Sequence, residues 1–176
     1  MFLFFIILLA VVGADGSLTN LVQDVCKLPL KMGTTPCKTG KKGIRYHFDV
    51  NTFMPLAFEY TGCGGNANNF ADAHECLMIC LPMDITPCEG GKQLPKPETC
   101  QENKDCGPKG DCLPISLYTR VCCDKKATDE VKADWKNCPK GKKPDPTTKA
   151  GKTCKSKFCP PNTTCSQGKH FAICCK

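Results

Sequence analysis

The sequence predicts a small, disulfide-rich, multi-module protein: an α+β unit followed by two small, loop-rich cysteine modules. Three observations carry this expectation. The chain holds 17 cysteines in 176 residues, a density at which a disulfide scaffold is the leading explanation of how a chain holds its shape. Few large apolar residues stand between them, so one core of ordinary globular size is not expected. The cysteines also fall into three groups, which places the units at residues 22–81, 86–124 and 136–176. Pro82, Pro87 and the polar run from Lys125 to Lys136 read as linkers.

Ahead of these units, residues 1–14 form an uncharged apolar run from Met1 to Ala14 that is too short to span a bilayer and ends in small residues. It reads as a secretory signal, cut after Ala14 with Val12 two residues before, or as second choice after Gly16. No other stretch is long and apolar enough for a membrane anchor, and an extracellular, oxidising destination suits the cysteines.

The first unit is organised around residues 58–76. Leu56, Phe58 and Tyr60 alternate as one face of a strand, and Gly62 to Gly65 supply a permissive turn. Asp72 with Glu75 three residues later marks the start of a helix. On that helix Cys76 and Cys80 share a face, so the unit is stapled by bridges where a larger domain would rely on its core.

Phe58, Gly62, Cys63, Phe70 and Cys76, at this spacing, resemble the signature of the Kunitz family of pancreatic-trypsin-inhibitor-like domains. The resemblance continues upstream through Ile44-Arg45-Tyr46-His47-Phe48, matching the family's first strand, to Cys37 and Cys26, and downstream to Cys80. It implies a twisted β-hairpin with a C-terminal helix, and bridges Cys26–Cys80 and Cys37–Cys63. It also implies a protease-binding loop, Pro36-Cys37-Lys38-Thr39-Gly40, in which Lys38 enters a pocket carrying an aspartate in trypsin-like serine proteases. The lysine stem would pack on the pocket walls and its ammonium would meet the carboxylate. Thr61, Gly62, Cys63 and Gly64 would form a secondary loop, and the Cys37–Cys63 bridge would hold the first loop in an extended, substrate-like shape, which lowers the entropy lost on binding. The alternative is a non-inhibitory extracellular binding or matrix protein that uses the same scaffold for a channel, receptor or glycan. The chain departs from the family pattern at five points. Thr39 and Thr61 stand where smaller residues are usual, and the stretches between Cys26 and Cys37 and between Cys37 and Arg45 are both longer. Pro55 takes the place of the family's third cysteine, which leaves Cys76 unpaired.

The second and third units repeat one another. Cysteines stand at 88, 100, 106, 112, 122 and 123 in one and at 138, 154, 159, 165, 174 and 175 in the other, and each set ends in a vicinal pair. Through Cys88-Glu89-Gly90-Gly91 and Cys122-Cys123, and through Cys138-Pro139-Lys140-Gly141, Cys159-Pro160-Pro161 and Cys174-Cys175, both resemble the lustrin-type cysteine-rich repeat. A whey-acidic-type core is the competing pattern, but it needs more cysteines than either unit has. Six cysteines allow 15 pairings; a bridge within the vicinal pair is disfavoured by strain, and spacing does not choose among the rest.

The net charge of +7 is unevenly spread. From Lys125 to Lys176 there are thirteen basic and four acidic side chains, against near balance elsewhere. Nucleic acid is an improbable partner, because no aromatics interleave with these lysines as stacking platforms. Anionic glycans are the better-matched polyanion, with a merely solvated lysine-rich surface as the plain alternative. Asn162-Thr163-Thr164 is an N-glycosylation acceptor. No catalytic residues are expected: His47, His74 and His170 stand in unrelated contexts, with His47 a strand residue and His74 on a helix surface, and no nucleophile, zinc-helix or phosphate-loop motif is present. Without paired Cys-x2-Cys knuckles, no metal or cofactor is expected either.

Overall fold

The computed structural model describes residues 22–35, 37–81, 88–95, 97, 99–147 and 149–176. Expectations about the signal run, Pro36, Pro82 and Pro87 fall outside them. The first unit opens with a 3-10 turn at Asp24–Lys27, followed by strands β1 (Gly43–Asp49) and β2 (Met54–Tyr60) and helix α1 (Ala73–Cys80). The strands pair antiparallel, with Tyr46 opposite Ala57 and His47 opposite Leu56. Their turn closes on Phe53, a non-glycine residue at φ 55°. That conformation costs roughly 1–2 kcal/mol. It is offset by burying the ring edge-on against Phe48, centroids 6.0 Å apart.

Helix α1 begins where its sequence signal lies. The Asp72 carboxylate accepts the Glu75 N–H at 2.9 Å, and the Glu75 carboxylate reaches back to the Ala71 N–H at 2.6 Å, satisfying donors that a helix start leaves free. Cys76 and Cys80 are both buried on its inner face. Buried Asn68 ties the unit together. Its amide donates to the carbonyls of Cys26, Leu28 and Phe48 and accepts the Phe48 N–H, so a polar side chain stands in for several backbone partners.

The second unit comprises a 3-10 segment at Asn103–Lys109 and the hairpin β3 (Gly110–Pro114) and β4 (Arg120–Asp124). The third has a 3-10 turn at Cys154–Ser156 and the hairpin β5 (Thr164–Gln167) and β6 (Ala172–Cys175). Their bridges follow one plan. Cys88–Cys123, Cys100–Cys112 and Cys106–Cys122 in the second unit correspond to Cys138–Cys175, Cys154–Cys165 and Cys159–Cys174 in the third. In each, first joins sixth, second joins fourth and third joins fifth. The equivalence extends to the backbone: an extra strand residue pairs with the last cysteine of each unit, Gln93 with Cys123 and Pro144 with Cys175.

The run after β4 differs from the linker expected of it. Lys125–Asp134 is a helix, α2, capped by the Asp124 carboxylate on the Ala127 N–H at 2.9 Å. Thr128, Val131 and Asp134 form its buried face. Strand alternation in β2 is also interrupted: Ala57 is buried along with Leu56 and Phe58, because the third unit lies against the hairpin. The Ala57 N–H donates to the Ala150 carbonyl at 2.7 Å, and Gly151 exchanges hydrogen bonds with Ala172. Residues 150–151 thus join the edge of β2 to β6. Leu56 packs in one cluster with Val131, Ala150, Phe171 and Ile173, while Phe158 and Ala172 join the core of the first unit. A half-buried ion pair, Lys152 to Asp49 at 3.0 Å, completes the contact.

Candidate functional site

At the open end of the β1–β2 hairpin, two segments meet across the Cys37–Cys63 disulfide, Cα–Cα 5.5 Å. Its partner staple, Cys26–Cys80, fixes the 3-10 turn to the end of α1. Residues 38–40 curve away from Cys37 in consecutive bends, and the Gly40 N–H points at Cys37 Sγ, 3.2 Å away. The surplus length before Arg45 is taken up in this curve and in exposed Lys41 and Lys42. Lys38 and Thr39 are exposed, and among the described residues Lys38 has no ion-pair or hydrogen-bond partner. Lys42, by contrast, is paired with Glu59 at 3.0 Å.

The bracing beneath this loop is backbone on backbone. Gly62 lies at φ 99°, and a Cβ there would sit 2.6 Å from the carbonyl carbon of Gly40, while a Cβ on Gly40 would overlap the Gly62 carbonyl. Both positions must stay bare for the segments to touch. Gly64, at φ 68°, turns the secondary loop, and its carbonyl accepts the Tyr60 hydroxyl at 2.7 Å.

Thr61 is half-buried and faces inward. Its hydroxyl donates to the Cys63 carbonyl at 3.3 Å, its N–H donates to the Met32 carbonyl at 3.0 Å, and a Cβ on Gly33 would collide with its hydroxyl. The bulk at Thr61 is thus accommodated by the bare Gly33 in the lengthened stretch between Cys26 and Cys37. Sequence reasoning placed Thr61 but missed Gly33, whose signal was a glycine inside that longer stretch.

The arrangement is an exposed lysine on a curved loop whose base is cross-linked and pressed against a second loop. The Kunitz/Bovine pancreatic trypsin inhibitor domain matches residues 25–81, the unit that carries it. Along the whole chain, a BPTI/Kunitz inhibitor domain-containing protein of Caenorhabditis elegans is 34% identical over 164 residues, covering 89% of this chain and 92% of the relative. The chain belongs to the BPTI/Kunitz inhibitor domain family. Major allergen Ani s 1 of Anisakis simplex is 31% identical over 168 residues, covering 86% of each chain. Within the Kunitz unit, Kunitz-type serine protease inhibitor homolog dendrotoxin K of Dendroaspis polylepis polylepis is 43% identical over 56 residues, 32% of this chain and 66% of that one. Proteins of this family are inhibitors and toxins, not enzymes.

The remaining sites are distributed over the molecule. Cys76 is buried and free, and burial together with the Glu75 carboxylate pushes its thiol up to about 12. Asn162 is exposed in a turn at φ 66°. Cys100, Cys106 and Cys122 lie close enough to suggest a metal site, but all three are spent in disulfides. His74 is exposed on α1, whereas His47 is buried more deeply than a strand residue of its type would be expected to be, with only 3% of its surface exposed. No helix among the described residues is long and apolar enough to cross a membrane.

Proposed function

We propose that this chain is a secreted inhibitor of trypsin-like serine proteases, in which Lys38 enters the enzyme's specificity pocket as a substrate side chain would. The observation that carries the reading is the exposed, unpartnered Lys38 directly after a cysteine bridged to Cys63, on a loop held against Gly62. A loop ordered before encounter loses less entropy on binding. Secretion is supported by the apolar run 1–14 and by the disulfides. Residues 86–124 and 136–176 read as two copies of the lustrin-type repeat beside a Kunitz unit at 22–81, a division favoured by their common pairing plan. Asn162, exposed in its turn, is the proposed glycan attachment site.

Inhibition of trypsin by the purified mature protein tests the reading directly. Lys38→Ala removes a charge from the centre of the interface, so it should cost about 2 kcal/mol or more, roughly a thirtyfold loss of affinity. Thr39→Gly should tighten binding by removing exposed bulk beside Lys38. If trypsin, plasmin-like and kallikrein-like enzymes all keep full activity at micromolar protein, the inhibitor reading falls. The second reading, a non-inhibitory binder of a channel or receptor, would then take its place. It is favoured by the curved, lengthened loop and by toxins among the relatives.

A further inference from the structure

We propose that His47 is an acid-operated latch: protonation of its buried imidazole loosens the contact between the β1–β2 hairpin and the C-terminal unit. The contact has no covalent lock, because every disulfide closes within residues 26–80, 88–123 or 138–175. Strand alternation puts His47 on the same face of the hairpin as Asp49 and as Leu56, its cross-strand partner. Leu56 packs against Ala150, Phe171 and Ile173, and Asp49 holds Lys152. His47 therefore lies under the C-terminal unit, between an apolar cluster and an ion pair. Its ring meets Phe58 edge-on at 6.1 Å, and neither ring nitrogen has a hydrogen-bond partner.

Among the described residues, the acidic groups on the elements packed here already have partners. On its own strand, Asp49 already accepts Lys152 and the Thr52 hydroxyl, and Arg45 is bonded to Asn69. On β2, Glu59 points to the other face and pairs with Lys42. From the C-terminal unit, Lys152 brings a like charge. On α2, Glu130 is taken by Lys169 and His170, and Asp134 by the N–H groups of Lys169, His170 and Phe171. A protonated His47 would be a buried, unpaired cation, the most costly way to hold a charge.

Burial accordingly holds the His47 pKa below its ordinary 6.5; the Asp49 charge and the neighbouring Phe48 backbone oppose this, and Lys152 reinforces it. In the opened form the ring is in water and binds its proton at the ordinary value. The opened form then carries more protons between that value and the lowered one, so acid favours it. The latch is shut above 6.5. Below it, the closed-to-open ratio falls by up to about tenfold per pH unit until the lowered value is reached.

Hydrogen exchange in the full-length protein reads the latch at the amide that spans the contact, Ala57 N–H on the Ala150 carbonyl. Its protection factor, corrected for the intrinsic pH dependence of exchange, should drop below 6.5. The Phe48 N–H, held by Asn68 inside the first unit, should keep its protection. His47→Leu should make the Ala57 profile flat with pH, and His170→Gln should leave it as in the parent. Should His47→Leu fail to fold, NMR titration of the unaltered protein decides: the His47 ring must titrate below its ordinary 6.5, at the pH where the loss of Ala57 protection levels off. The latch is refuted by protection that does not change with pH, by an unchanged profile in His47→Leu, by a profile flattened in His170→Gln, or by a His47 ring that titrates at 6.5 or above.

Discussion

Cys76 shows how one residue can report on the history of a scaffold. The family pattern puts a cysteine at Pro55, and its absence leaves Cys76 buried, free and strongly disfavoured as a thiolate. Since the thiolate is the reactive form, a thiol reagent should label Cys76 only after unfolding; rapid labelling of the folded protein would contradict its burial. Pro55→Cys should let a bridge form to Cys76 and raise stability by about 2–4 kcal/mol, the usual range for a closed loop. A denaturant midpoint that stays put, with both thiols still reactive after unfolding, would show that the two positions do not meet. Thr61 teaches a related lesson. As a departure from the family it looks like an obstacle to a bound protease, yet its hydroxyl turns inward to the Cys63 carbonyl over bare Gly33. The substitution and the lengthened segment are two halves of one adjustment.

The two helices differ in how openly the sequence announces them. Helix α1 was legible because its start depends on neighbours in sequence, the Asp72 and Glu75 carboxylates closing on backbone N–H groups within the first turn. The protease-loop candidates were legible for a similar reason, since their cysteines and glycines stand at fixed spacing. Helix α2 was hidden because its buried face, Thr128, Val131 and Asp134, reads as polar. Its partners lie more than thirty residues on: Asp134 accepts N–H groups of Lys169, His170 and Phe171, and Val131 packs with Phe171. Asp124 caps this helix, and removing the cap by Asp124→Ala should cost about 1 kcal/mol at neutral pH. The Ala127 N–H, with help from Lys92, holds the Asp124 carboxyl below the usual carboxylate range. Its contribution is therefore complete above the ordinary value of about 4 and is lost as pH falls through the lowered one. Unfolding curves should show parent and variant converging in acid; a gap that persists there would mean the cap does not act through its charge.

At the scale of the whole molecule, the third unit closes the edge of the Kunitz hairpin, and the segment 125–176, helix α2 together with that unit, concentrates the positive charge. Its acidic side chains are already committed: Asp129 to Lys125, Glu130 to Lys169, Asp145 to Lys176, and Asp134 to backbone N–H groups. Asp49 of the first unit takes Lys152. These pairings leave Lys126, Lys132, Lys136, Lys140, Lys143, Lys155 and Lys157 exposed without an ion-pair partner among the described residues. An uncompensated lysine surface of this kind suits a sulfated glycan, held through point charges and therefore sensitive to salt, because exposed charges are screened beyond about 8 Å at physiological ionic strength. Replacing Lys140, Lys143, Lys155 and Lys157 together by glutamine should make the full-length protein leave a heparin column at clearly lower salt. Replacing Lys31, Lys38, Lys41 and Lys109, also exposed and without an ion-pair partner among the described residues, changes the net charge by the same amount but should shift elution much less. If both variants shift alike, retention follows net charge alone, and the C-terminal unit is only a solvated basic surface.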